Sequence, residues 1–270
     1  GNLRVLNYQP ATAMHLLKLP SPASITFNWN FGSLLGLNFF FQVITGFFMT
    51  FYYSPDLVGA FNSVVHLSFD VNYGWVVRSM HASGATSFFL FIYLHMGRGL
   101  FFKSYLKTPL TWMSGVALYL LFMGVAFLGY VLPWGQMSYW GGTVITNLIS
   151  AVPYFGQSLV EWIWGGFSVS GPTLTRFFTL HYFLPLLSVA FILVHLTFLH
   201  KTGSSNPLGL SKNSDKVFFH PFFSYKDFLG FSFFGLLLIF FSMKYPNLFL
   251  DADNYSVANP MTTPAHIQPE

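Results

Sequence analysis

Four histidines sit in stretches otherwise too apolar for a protein surface: His81, His95, His181 and His195. They fall into two pairs, each separated by fourteen residues. On an α-helix fourteen residues turn through roughly 1400°, about 40° short of four full turns, so both members of a pair share a face. They stand ~21 Å apart along the axis. The two stretches are the second and fourth apolar spans of the chain, so they run parallel. His81 then lies at the depth of His181, and His95 at the depth of His195. A lone imidazole among apolar helices is readily explained by a hydrogen bond to its neighbour. Four with matched spacing ask for more. The two depths are too far apart for one metal cluster. Two ligands at each depth suit a planar macrocycle with two axial nitrogens, a six-coordinate haem with no open position, which moves electrons.

Glycines repeat the same interval: Gly32 and Gly46 in the first span, Gly115 and Gly129 in the third. These spans run antiparallel to the histidine spans. Gly32 and Gly115 therefore match the depth of His95 and His195, and Gly46 and Gly129 that of His81 and His181. A residue without a side chain lets a porphyrin approach the backbone, although small residues also serve plain helix packing. Arg78, Arg98 and Arg176 stand at span edges within five residues of a histidine. There they suit haem propionates, or snorkel to the membrane surface.

The elements that must position these residues are membrane helices. Hydrophobic residues make up 53% of the 270, and only 7% are charged, against roughly 25% in a soluble domain. Windows long enough to cross a bilayer lie at about 31–53, 78–98, 110–133, 177–200 and 228–245. The expected fold class is an all-α transmembrane helix bundle of five spans, four of them enclosing two haems. Short surface helices are expected at 136–168, with Trp134, Trp140, Trp162 and Trp164 at headgroup level. An N-terminal surface segment occupies 1–28, with an amphipathic helix within 1–24. The four-helix di-haem unit covers 29–205, a loop and the fifth span 206–245, and a polar loop 246–270. The prolines and charges before position 25 argue against a cleavable signal peptide. The absence of cysteine excludes disulfides, thiolate ligands, iron–sulfur clusters and covalent c-type haem. Charge is lopsided. Arg4, Lys18, Arg98, Lys103, Lys107, Lys201, Lys212, Lys216 and Lys226 share one side with Asp215 and Asp227. Arg78, Arg176 and Lys244 share the other with Asp56, Asp70, Glu161, Asp251, Asp253 and Glu270. The positive-inside rule puts the first side, with the N-terminus, on the cytoplasm-like or matrix side.

Several runs carry a family resemblance: WNFGSLLG at 29–36, HMGRGLF at 95–101, GYVLPWGQMSYWG at 129–141, VEWIWGGFSV at 160–169, LTRFFTLHYFLP at 174–185 and DNYSVANP at 253–260. With them the chain resembles mitochondrial-type cytochrome b of ubiquinol–cytochrome c reductase, respiratory complex III. The fourteen-residue interval in the fourth span favours the mitochondrial or bacterial type. Its chloroplast counterpart carries one more residue there and ends after four spans.

The resemblance implies a Q cycle. Quinol is oxidised near the positive face. One electron passes to the Rieske iron–sulfur subunit and cytochrome c-one. The other passes to a low-potential b haem on His81 and His181, then a high-potential b haem on His95 and His195, and finally reduces ubiquinone near the negative face. It places the reduction site at His200, Asp227, Ser204 and Lys226, with Trp29 and Ser33 lining it. A histidine and a carboxylate beside two quinone oxygens can deliver two protons. The oxidation site falls on Phe127, Tyr130, Met137, Gly141, Gly142, Ile145, Pro269 and Glu270, with Glu270 accepting a proton. The family motif continues Pro-Glu-Trp-Tyr and then three more helices. The resemblance therefore implies truncation at Pro269-Glu270, with one wall of the oxidation pocket lying beyond. It also implies a homodimeric complex in the mitochondrial inner membrane, or a bacterial plasma membrane.

Two other classes compete. A transporter could use buried histidines as a proton relay, but relays usually include carboxylates within spans, and these are scarce here. A purely structural membrane subunit leaves the four histidines unexplained.

Overall fold

The computed structural model describes residues 18–210 and 215–267. Pro269, Glu270, Arg4, Lys212 and most of the expected N-terminal helix lie outside the described residues. Within them the fold is helical. In chain order the helices are α1 (Phe31–Met49), α2 (Gly59–Phe69), α3 (Gly74–Phe101), α4 (Ser104–Lys107), α5 (Pro109–Val131), α6 (Gln136–Asn147), α7 (Gly156–Trp164), α8 (Gly171–Thr202) and α9 (Phe222–Lys244).

The five long helices coincide with the five expected spans. Among the described residues, α1, α5, α8 and α9 are long and apolar enough to cross a membrane. The 28 residues of α3 also suffice in length, covering ~42 Å. Their apolar character is diluted by Arg78, Ser79, His81, Ser83, Ser87, His95 and Arg98, residues that line the interior of the bundle where polar groups find partners.

The bundle consists of two tight helix pairs. One is α1 on α3, with α9 packed against both; the other is α5 on α8. The backbone of α3 touches α5 sparingly, and α3 and α8 face one another through side chains. Three apolar clusters hold this arrangement. Phe88 and Ile92 meet Leu118 and Phe122 between α3 and α5. Leu34 meets Phe234 and Leu238 between α1 and α9. The third cluster sits where α2, α5, α7 and α8 converge, with Ala60, Leu128, Val131, Trp134, Val160, Trp164, Leu174 and Phe177.

Two expectations are corrected. First, Pro20–Pro22 is a strand, β1, paired antiparallel with β2 (Lys216–Phe218), Ser21 opposite Val217. This stretch therefore does not belong to an amphipathic helix. Prolines interrupt a helix but are tolerated at a sheet edge, and the ribbon ties the N-terminal segment to the loop before α9. Second, Trp134 and Trp164 do not present their rings to the membrane surface. They are 5% and 8% exposed, inside the third cluster. Trp134 lies just past α5 with a left-handed backbone (φ 56°). Trp164 follows Val160 by one turn on the buried face of α7, and its Nε1 donates to Thr146 Oγ1 at 2.7 Å. Trp162 keeps an exposed position. The stretch from Ser54 to Asp70, outside the expected spans, contains α2.

The segment 252–262 folds back over the corner after α5. Ala258 N donates to Trp134 O, Gln136 N to Ser256 O (both 3.0 Å) and Ser138 N to Asn254 Oδ1 (2.9 Å). Tyr53, just past α1, clamps the same corner by donating to Leu132 O at 2.6 Å. Burial, and secondarily the nearby Asp56 carboxylate, push its phenol well above the ordinary tyrosine range.

Candidate functional site

The four span histidines meet in two pairs across the bundle. The ring centres of His81 (α3) and His181 (α8) are 6.2 Å apart, and those of His95 (α3) and His195 (α8) 6.4 Å. Two imidazoles bonded to opposite faces of one metal by bonds of about 2 Å, with each nitrogen roughly 1 Å from its ring centre, stand ~6 Å apart. Both observed separations fit that requirement.

Behind each ring lies a glycine. A side chain on Gly32 would sit 3.2 Å from His95 Cε1, on Gly46 3.0 Å from His81 Cε1, and on Gly115 3.1 Å from His195 Cε1. One on Gly129 would overlap the His181 ring. The glycines thus make room for the imidazoles as much as for a flat ring system between them. They also lie at the depths their spacing implied.

Hydrogen bonds orient three of the four rings. Thr45 Oγ1 donates to Phe41 O at 2.7 Å, so its lone pair is free to accept from His81 Nδ1, 2.9 Å away. Ser114 Oγ donates to Thr111 O at 2.9 Å and likewise can accept from His195 Nδ1 at 2.9 Å. His181 Nδ1 faces Val125 O at 2.8 Å, and a carbonyl can only accept. Placing the proton on Nδ1 leaves Nε2 bare as a metal ligand, the usual outer-shell device. His95 differs. Arg98 stands 3.4 Å from its Nδ1, and a guanidinium only donates. The Arg98 Nε is buried with no hydrogen-bond partner among the described residues, and the guanidinium lies over Trp29, 5.1 Å from the ring centre. An anionic group beside Arg98 would offer its Nε the acceptor that it lacks among the described residues. The residues therefore fit a haem at each depth. Among the described residues no group of three or more His, Asp or Glu is close enough to hold a bare ion.

The other arginines behave differently. Arg176 is engaged by the carbonyls of Trp162 and Ile163, at the end of α7. Arg78 stands one turn before His81 on α3.

The expected reduction-site residues are only partly assembled. Asp227 Oδ1 accepts from Ser33 Oγ at 2.8 Å and from Asn30 Nδ2 at 3.0 Å. Trp29 packs against Phe102 at 5.0 Å. Lys226 Nζ donates to Ile25 O at 3.1 Å, facing the N-terminal segment. His200 and Ser204 lie at the end of α8 and just beyond it. The expected oxidation-site residues split by face. Met137 and Gly142 are buried on the inner side of α6, while Ile145 is exposed and Gly141 opens onto free space. Phe127 packs on Phe177 at 5.8 Å, and the Tyr130 carbonyl accepts from Ser138 Oγ at 2.6 Å.

Sequence reasoning missed Asn30, Thr45, Ser114 and the Val125 carbonyl. Two of these left a signal: Thr45 and Ser114 each immediately precede a spaced glycine. Val125 acts through its backbone, which no side-chain pattern reports.

Fold and paired imidazoles together define a helix-bundle membrane protein built to hold haem. The cytochrome b/b6/petB family model matches residues 16–203, and this chain belongs to that family. It is thus a transmembrane haem protein of electron transport. A solved structure described as a hyperthermophilic respiratory Complex III superposes with a TM-score of 0.88 at 35% identity, over 95% of this chain and 70% of that one.

Proposed function

We propose that this chain is the di-haem subunit of a quinol–cytochrome c reductase, carrying one of the two electrons of quinol across the membrane and delivering it to quinone. The observation that carries this reading is the pair of facing imidazoles at each of two depths, 6.2 Å and 6.4 Å between ring centres. The likeness to a respiratory Complex III supports it.

Bound b-type haem would supply a one-electron couple at each depth. His81 and His181 would hold the low-potential group near the positive face, and His95 and His195 the high-potential group near the negative face. Thr45, Ser114 and Val125 keep three of the ligating rings in register. Gly32, Gly46, Gly115 and Gly129 admit the macrocycles, while Arg78 and Arg98 meet their carboxylates. Arg176 acts at one remove, holding the end of α7.

At the negative face Asp227 serves as the proton store beside quinone. Ser33 and Asn30 fix one of its oxygens, and His200, near the end of α8, is the second proton donor. Trp29, Ser204 and Lys226 complete that site. At the positive face Phe127, Tyr130, Gly141 and Ile145 bound the oxidation site over the packed residues Met137 and Gly142, and Pro269 and Glu270 complete it, with Glu270 as proton acceptor. The partners are the Rieske and cytochrome c-one subunits in a homodimeric complex. The setting is the mitochondrial inner membrane, or a bacterial plasma membrane, with the basic side facing the matrix or cytoplasm.

A reduced-minus-oxidised absorbance spectrum tests the reading. Two b-type haems per chain are expected, and His195→Ala should remove the one near the negative face while leaving the other visible. A colourless purified protein overturns the proposal.

A further inference from the structure

Between the two histidine depths, α1 turns a polar stripe toward α3: Asn38, Gln42 and Thr45, spaced to share one helix face. Asn38 is fully buried. Its Nδ2 donates to Gly84 O at 3.1 Å and to Ser87 Oγ at 3.3 Å. Gln42 Nε2 donates to His81 O at 2.9 Å. Each amide faces a backbone carbonyl, which can only accept, so the orientation of both side chains is determined: nitrogen to the carbonyl, oxygen away from it. Asn38 Oδ1 and Gln42 Oε1 are consequently acceptors. Both are buried, and among the described residues neither accepts a hydrogen bond.

The two oxygens converge on Gly84. A side-chain carbon there would lie 2.5 Å from Gln42 Oε1 and 3.5 Å from Asn38 Oδ1. The oxygens are therefore no more than 6.0 Å apart. A point within about 3 Å of both oxygens therefore exists, the length of an ordinary hydrogen bond. The occupant must donate twice and must be small, because Gly84 and Ser83 are themselves buried. It must also be neutral, since among the groups named on this seam there is no formal charge to balance an ion.

We propose that a single water molecule is bound at Gly84 in the seam between α1 and α3, donating one hydrogen to Asn38 Oδ1 and the other to Gln42 Oε1. Buried waters typically settle where otherwise unsatisfied polar groups meet. The Gln42 amide links this one to the carbonyl of His81, so it is coupled through two hydrogen bonds to an element of the candidate haem site. The water site stands on the α1–α3 contact alone and does not require the di-haem reading.

The test is an experimental structure of the intact complex, at a resolution that shows ordered water on other buried polar groups. The expected result is a peak within about 2.7–3.2 Å of both oxygens, absent from the same complex carrying Asn38→Leu. A dry seam in the unmodified complex overturns the proposal, as does a peak that persists unchanged in Asn38→Leu. Should that variant fail to assemble, the unmodified complex decides the matter alone.

Discussion

The chemistry of the candidate site is decided by single atoms. Of the four glycines behind the histidine rings, Gly129 is the least forgiving, because any β-carbon there overlaps His181. On the proposed di-haem reading, Gly129→Ala should cost the chain the haem at His81 and His181 and about half of the b-haem absorbance in a reduced-minus-oxidised spectrum. Gly36 is the matched control, since a side chain there meets nothing within 4 Å. Gly36→Ala should keep both haems and gain roughly 0.5–1 kcal/mol of helix stability, read as a higher melting temperature. Ser114 tests the orienting hydrogen bonds. Its hydroxyl is placed to accept the His195 Nδ1 proton, which makes the imidazole a stronger electron donor to a metal. Ser114→Ala removes that push, so the midpoint potential of the haem on His195 should rise in a redox titration. An unchanged or lower potential would show that the hydroxyl does not tune this ligand.

Elements are held in place by a few polar contacts at their ends. The start of α8 is anchored by Thr173, fully buried, whose hydroxyl accepts from Ser170 N at 3.0 Å and donates to Trp164 O at 2.7 Å. Thr173→Val keeps the shape and strands both groups. It should destabilise the protein by about 1–3 kcal/mol, measured as a lower melting temperature in detergent. The start of α2 depends on Asp56. One of its oxygens accepts from Gly59 N at 2.7 Å and Val58 N at 3.1 Å. These bonds, that of Gly59 foremost, hold its carboxyl below the usual carboxylate range. A depressed pKa gives a contribution that is present above the unfolded value and lost as pH falls through the folded one. Amide protection at Val58 and Gly59 should therefore persist through neutral and mildly acidic pH and collapse only below the ordinary carboxylate pKa of 3.8. Loss of protection while the carboxylate is still ionised would assign the cap elsewhere.

At the scale of the molecule, two helix pairs face one another with imidazoles between them, and loops of opposite charge lie at the two ends. The chain has no cysteine, so single cysteines report topology cleanly. Leu106→Cys and Leu208→Cys, both at exposed positions, should react with a membrane-impermeant thiol reagent from the same side. Tyr154→Cys and Met261→Cys, also exposed, should react from the other. The basic side should be the matrix or cytoplasmic one. Labelling of Leu106→Cys and Tyr154→Cys from one common side would contradict the span count.

The sequence by itself determined the number of spans, the faces and depths of the histidines, and the glycines opposite them. All of these follow from helical rise and rotation, which are properties of a single helix and its neighbours in order. The apolar windows required no tertiary knowledge for the same reason: the bilayer sets a length, and the chain either fills it with apolar residues or does not. Only the tertiary structure decided which atom of which helix reaches across. It bound Asp227 to Asn30 as well as Ser33, turned Arg176 to the carbonyls at the end of α7, buried Trp134 and Trp164, and assigned the His181 Nδ1 to a backbone oxygen at Val125. Such contacts depend on how far one helix slides and turns against another. That adjustment is set by the packing of many side chains at once, and no periodicity along the chain records it.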